Sequence, residues 1–285
     1  MAREKRRING RRGPPVAALA KGLKVLEELA AAGASSRLPD LVARTELDRA
    51  TVHRILRTFM DIGYVNRSGR GEYVISYRAY LMGARLTSAH NLIQVARPRL
   101  FALKEAIGET CNLAILDNTE IVYLIRAEVG RTLSLRLDVG TRLPAFCASL
   151  GRAILAYLPD DQAMEILARS DRRAYTTYTK TTIPDLMEAL RVCRARGLAV
   201  SNQEFEMGLC SMACPIFGPD GMPVAAINIA LLAARMSATQ MAKRFKEPLQ
   251  ATCNAISREL GWKPTLADMA RLPLPAMALR AASAL

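Results

Sequence analysis

Histidine is nearly missing from this chain of 285 residues: it occurs at His53 and His90 and nowhere else. Everything after residue 90 therefore lacks an imidazole. That removes any Cys–His or Ser–His nucleophilic pair, and any histidine-based metal cluster, from the larger C-terminal part. Missing too is an apolar run of the ~18 residues that a membrane span needs. The basic N-terminus MAREKRRINGRR has no apolar segment behind it, because lysines and glutamates break VAALAKGLKVLEELAAAG, so no secretory signal is expected. Neither GRTLSLRLDVG nor GPDG has the glycine spacing and lysine of a phosphate loop. The six cysteines, Cys111, Cys147, Cys193, Cys210, Cys214 and Cys253, are scattered and expected to be reduced core thiols in a cytoplasmic protein. Cys210 and Cys214 stand four apart with a proline after the second, a poor arrangement for structural zinc. No metal, cofactor or internal repeat is expected.

What the chain does have is positive charge, with a formal net of +14. Residues 1–80 hold 16 Lys/Arg against 8 Asp/Glu, and the remaining 205 residues hold 24 against 18. The first part is the denser in positive charge, which suits nucleic acid or an anionic surface. Apolar residues at 51% allow a sizeable core, and the length suits two ordinary domains.

Val16, Leu19, Leu23, Leu26 and Leu29 recur at three and four, so a helix is expected from Val16 to Ala32, closed by Gly33. SSRLPDLVARTEL gives a second short helix begun at Pro39. Asp48 can cap a third helix running to Asp61, ended by Gly63. YVNRS and EYVI, joined by the GRG turn, form a hairpin. Three helices and a hairpin make a winged helix-turn-helix, expected over residues 14–76 behind a disordered basic tail at 1–13. The third helix, within LDRATVHRILRTFMDIGYV, occupies the recognition position. Its Arg49, Thr51, His53, Arg54 and Arg57 are expected to meet DNA, with Ile55, Leu56 and Phe59 as anchors. Arg67 and Arg70 in the wing could reach a phosphate or the minor groove.

Residues 77–108 read as helix interrupted near Pro98, with 77–96 as the linker to a second domain at 97–262. Strands are expected at CNLAIL, EIVYLIR and TLSLRLD, then helices at 147–157, 160–169 and 184–196. Strands GLAVS, SMACPIF and PVAAINIAL and a helix from Ser237 to Leu260 complete an α+β domain. Asp160 and Asp161 follow Pro159 at a helix start, where capping explains them better than acid catalysis. The tail at 263–285 has no assigned role. LPAFCASLGRAIL turns into a helix whose first amides, near Cys147 to Leu150, can either receive a carboxylate or be capped by Ser149 itself.

The segments LAKGLKVLEELA, ELDRATVHRILRTFMDIGYV, YLMGARL, VGTRLPAFCASLGRAILAYLP and RARGLAVSNQEFEMGLCSMACPIFGPDGMPVAAINIAL together resemble the IclR family of bacterial transcriptional regulators, over about residues 16–262. RLPAFCASLGR and AAINIAL are most similar to the subgroup that controls aromatic-acid catabolism. The resemblance implies a winged helix-turn-helix domain, a helical linker and a C-terminal α/β, GAF-like effector-binding domain. It implies a homodimer or homotetramer on double-stranded operator DNA, responsive to a small metabolite; the helix start near Ser149 narrows this to a small carboxylate effector, and no enzymatic activity is expected. Transferred residue by residue, it places Leu135, Leu143, Ser149, Leu150, Leu209, Ser211, Asn228 and Ala230 in the effector pocket. Ser201 and Asn202 stand where some members carry an acidic residue, and Asn228 where some carry serine. The leucines suit a ring and Asn228 a hydroxyl or keto oxygen, so a hydroxybenzoate or a keto-acid is the expected effector. Two other classes compete: a thiol-based redox sensor on the same fold, and an enzyme docked on DNA by its N-terminus.

Overall fold

In the computed structural model, residues 16–33, 35–89, 91–129 and 138–264 are described, except the side chains of 84–89. The chain divides into two compact units, Met1–Ala89 and His90–Leu285.

The first unit runs α1 (Ala17–Ala31), α2 (Leu38–Thr45), α3 (Arg49–Asp61), β1 (Val65–Arg67), β2 (Tyr73–Ile75) and α4 (Tyr77–Ala89). The α2–α3 turn is tight because Glu46 takes the left-handed conformation at the end of α2. Asp48 then opens α3, its carboxylate accepting from the Thr51 amide at 2.8 Å. Hydrogen bonds from the Thr51 side chain and amide hold that carboxyl below its ordinary range. β1 and β2 pair antiparallel, and a bridge from Ser36 to Tyr73 ties the wing to the segment before α2. Val25, Leu29, Leu41, Val52, Leu56, Val65 and Tyr73 form the core.

Two details differ from the periodicity reading. On α1 the buried residues are Gly22, Val25 and Leu29, whereas Val16, Leu19 and Leu23 are 67%, 62% and 47% exposed. Gly22 faces the Phe59 ring, and this rotation leaves the other three on a flank that is open among the described residues. On α3 the full anchors are Val52 and Leu56, with Ile55 and Phe59 half-buried beside them.

The second unit runs α5 (Asn91–Ile107), β3 (Thr110–Asp117), β4 (Glu120–Ala127), β5 (Arg142–Pro144), α6 (Ser149–Leu155), α7 (Asp160–Arg169), α8 (Ile183–Arg196), β6 (Ala199–Asn202), β7 (Leu209–Phe217), β8 (Pro223–Leu232) and α9 (Ala238–Glu259). Its strands form one antiparallel sheet in the order β5-β4-β3-β8-β7-β6. Period-2 alternation sorts side chains to two cores. Cys210, Met212, Cys214 and Ile216 of β7 join α5 and α9, while Ala213 joins α6, α7 and α8 on the opposite face.

The interruption expected near Pro98 is not there: α5 runs unbroken through it. Burial of Leu92, Val95, Ala96, Leu100 and Leu103 outweighs a proline cost of about 3 kcal/mol. β5 is a strand that the sequence patterning did not flag. The strand expected at TLSLRLD, except for its last residue, and most of both chain tails lie outside the described residues.

Candidate functional site

Each unit carries one candidate surface. On α3, Val52 and Leu56 face the core, so the turns between them present Arg49, His53, Arg54 and Arg57 outward, all exposed. Arg49, His53 and Arg57 follow at intervals of four, one row along the helix. A concave surface is lined by Arg37, Leu38 and Pro39 before and within α2, by Arg49, Ala50 and His53, and by Arg67, Arg70, Gly71 and Tyr73 of the wing. It thus brings the first-turn and wing residues together. Arg54 and Arg57 lie outside it on the same exposed helix, and Thr51 is half-buried and engaged in the cap. Arg37, which the sequence reading did not single out, joins the cationic set, paired at 3.4 Å with Glu72 of the wing. Arg67 lies over the Tyr73 ring, 5.8 Å from its centre, which fixes the wing guanidinium beside α3.

In the second unit the inner face of the sheet and the turn into α6 enclose a cavity of about 40 Å³. Among the expected residues, Leu143, Ser149, Leu150, Leu209, Ser211, Asn228 and Ala230 line it. Asn202 does not: it is exposed, and its Oδ1 accepts from Cys210 on the other face of the strand pair. Alternation puts its neighbour Ser201 in the lining instead, opposite Ser211. Leu135 lies outside the described residues.

No side chain caps α6; Ala148 occupies the capping position, and the Ser149 hydroxyl meets the Ser211 hydroxyl at 2.8 Å. Ser201 donates to the Cys147 carbonyl at 2.9 Å, holding that turn against β6. Asn112 and Asn228 are register partners on β3 and β8, and the Asn112 amide donates to Asn228 Oδ1 at 2.9 Å. Behind the turn, buried Arg152 donates to the Phe146 carbonyl at 2.8 Å and forks onto buried Glu204, which also receives the Lys180 amide. Gly151 has no room for a side chain, since a Cβ there would stand 2.2 Å from the Ala145 carbonyl oxygen.

Six lining residues escaped the sequence reading: Asn112, Tyr123, Arg126, Ala148, Phe205 and Glu206. Tyr123 and Arg126 are three apart, and an unbroken strand would send them to opposite faces. The β3–β4 register shifts at Leu113/Ala114, skipping Leu124, and this bulge brings both to the cavity. Burial pushes the Tyr123 phenol up to about 12, so it stays a hydrogen-bond donor.

The six cysteines are free and buried. Desolvation pushes Cys111, Cys147 and Cys193 up to about 12 and raises Cys210, Cys214 and Cys253 as well, which opposes thiolate chemistry. Among the described residues there is no cluster of metal-ligating side chains, and no helix is long and apolar enough to cross a membrane.

Residues 18–69 match the model of the IclR helix-turn-helix domain, and residues 84–258 that of the bacterial transcriptional regulator IclR C-terminal domain. The chain is 33% identical over 258 residues to the Pca regulon regulatory protein of Pseudomonas putida, covering 90% of this chain and 88% of that one. It is 34% identical over 217 residues to the transcriptional repressor IclR of Escherichia coli K12, covering 75% and 79%. An IclR homolog from Microbacterium hydrocarbonoxydans, solved in complex with 4-hydroxybenzoate, shares the fold at a TM-score of 0.75 and 23% identity, over 85% of this chain and 98% of that one.

Proposed function

The chain belongs to the IclR family of DNA-binding bacterial transcriptional regulators, and on that premise we propose that a small organic acid in the β-sheet cavity sets its hold on operator DNA. The observation that carries the DNA half is the cationic face formed by Arg49, His53 and the wing arginines Arg67 and Arg70 around one concavity. Recognition-helix side chains read base edges in the major groove, while flanking arginines hold phosphates and set the register. Arg54 and Arg57 extend that face along α3.

The assembly we propose is a homodimer or homotetramer in the cytoplasm. A single module reads only a short half-site, and pairing doubles it. The exposed apolar side chains Val16, Leu19 and Leu23 on α1, with Tyr77, Tyr80 and Met82 on α4, support contact with a second copy.

The effector we propose is an aromatic hydroxy-acid or a related keto-acid. Its walls would be Leu143, Leu150, Leu209 and Phe205, its polar groups Ser149, Ser211, Asn112 and Asn228. At about 40 Å³ the cavity is small for a ring, so lining side chains must shift when such a ligand binds. The likeness to the Pca regulon regulator supports an aromatic acid, and 4-hydroxybenzoate, present in the Microbacterium complex, is a suitable first probe. Such a ligand would act through its unequal affinity for two arrangements of the protein.

Sequencing genomic fragments retained by the purified protein tests the DNA half. A small set of promoter fragments sharing a two-fold repeat is expected, in sedimentation of a dimer or larger species. A monomer that retains fragments at random contradicts it.

A further inference from the structure

We propose that Arg126, on β4, is the carboxylate anchor of this cavity, and that Asn112, on β3, receives a hydroxyl of the same ligand. The proposal deepens the effector reading and rests on it. The Glu206 carboxyl shares this lining, and two of its other buried polar atoms, Arg126 Nη1 and Asn112 Oδ1, lack hydrogen-bond partners among the described residues. One is a cationic donor and the other a neutral acceptor.

The Arg126 side chain is only 8% exposed. Its Nη2 donates to Glu128, a carboxylate 59% exposed, and its guanidinium lies 5.7 Å from the centre of the Tyr123 ring. The face of the Tyr123 ring attracts the guanidinium, and Glu128 engages one of its corners. A charged donor buried without an acceptor is unfavourable, so an anion that reaches Nη1 supplies what the protein leaves out. Asn112 is just as constrained. Its Nδ2 is engaged by Asn228, and that contact turns its Oδ1 to where no described donor stands.

A ligand satisfying both atoms carries a carboxylate and an O–H group. That is a hydroxylated carboxylic acid, bound with its carboxylate on β4. The start of α6 is the poorer carboxylate site: the helix has seven residues, and its Ser149 hydroxyl is already shared with Ser211.

Calorimetric titration of the full-length protein with 4-hydroxybenzoate, 4-hydroxybenzamide and benzoate tests this, with pyruvate as a non-aromatic control acid. The wild type should bind 4-hydroxybenzoate at least about tenfold more tightly than the neutral amide, as a charge-assisted contact requires. Arg126→Gln should abolish that preference while still binding the amide, which also reports that the pocket has folded. Asn112→Leu should abolish the preference for 4-hydroxybenzoate over benzoate. Equal binding of acid and amide by the wild type overturns the Arg126 assignment without any variant. Undiminished acid binding by Arg126→Gln overturns it too, and leaves the effector reading standing. Failure of the wild type to bind any of the acids overturns both.

Discussion

Ser149 and Ser211 share a single hydroxyl–hydroxyl hydrogen bond, 2.8 Å long, that joins the start of α6 to β7 across 62 positions of sequence. Both residues are buried, so each hydroxyl depends on the other. Ser211→Ala should therefore cost about 1–3 kcal/mol, because it orphans Ser149. Adding Ser149→Ala should recover part of that loss, since neither hydroxyl then remains. Chemical denaturation of the two single variants and the double variant checks this; a double loss equal to the sum of the singles would show that the hydroxyls act independently.

Gly151 is irreplaceable on steric grounds. A Cβ there would meet the Ala145 oxygen, Cα and carbonyl carbon at 2.2, 2.4 and 2.6 Å, all of them backbone atoms. Gly151→Ala should destabilise the second unit by roughly 1–3 kcal/mol, the usual cost of overpacking, or more because backbone must move. A melting temperature unchanged from wild type would mean that the turn at 145–148 shifts freely.

The DNA face predicts a pattern across arginines. Affinity should fall steeply with salt as phosphate counterions are released. An alanine substitution at a phosphate-contacting arginine, with Arg67 and Arg70 as candidates, should lower the salt slope by about 1. Arg49→Ala or Arg54→Ala should instead cost about 1–3 kcal/mol on the preferred site and relax its sequence preference. Fluorescence anisotropy over a salt series separates the two. Unchanged affinity in all four variants would move the DNA contact elsewhere.

Alkaline pH should destabilise the protein through its thiols. Burial raises Cys111, Cys147 and Cys193 from an ordinary 9.0 to about 12 in the folded chain. Each favours the folded state fully below pH 9, and that contribution disappears as pH rises from 9 through 12. The denaturation midpoint, as far as these thiols govern it, should hold up to pH 9 and fall beyond it. Thiol reagents at pH 8 should react only after denaturant is added. Fast labelling of the native protein at that pH would reopen the redox-sensor reading.

Much of the fold was legible because it follows local rules. Asp48 and Gly63 mark the ends of α3 through capping and backbone freedom, and α7 begins just after Pro159. What escaped depends on tertiary partners. β5 is three residues long and exists by pairing with β4. The uninterrupted α5 owes its path through Pro98 to burial against the sheet. Of the cavity, the residues on β7, β8 and α6 came from family likeness. Arg126 did not, because a bulge breaks the alternation that would have located it. Asn202 stands one position from the lining residue Ser201, which in a strand means the opposite face.

Coupling between two binding sites is reciprocal, so an acid that sets operator binding must itself be bound differently by the free and the operator-bound protein. The most direct measurement is the affinity for 4-hydroxybenzoate, or whichever acid the titrations select, on the free protein and on the protein saturated with its operator. The two affinities should differ by at least about fivefold, and the acid should change operator affinity by the same factor. Equal acid affinity in the two states, with the acid demonstrably bound, would contradict this coupling.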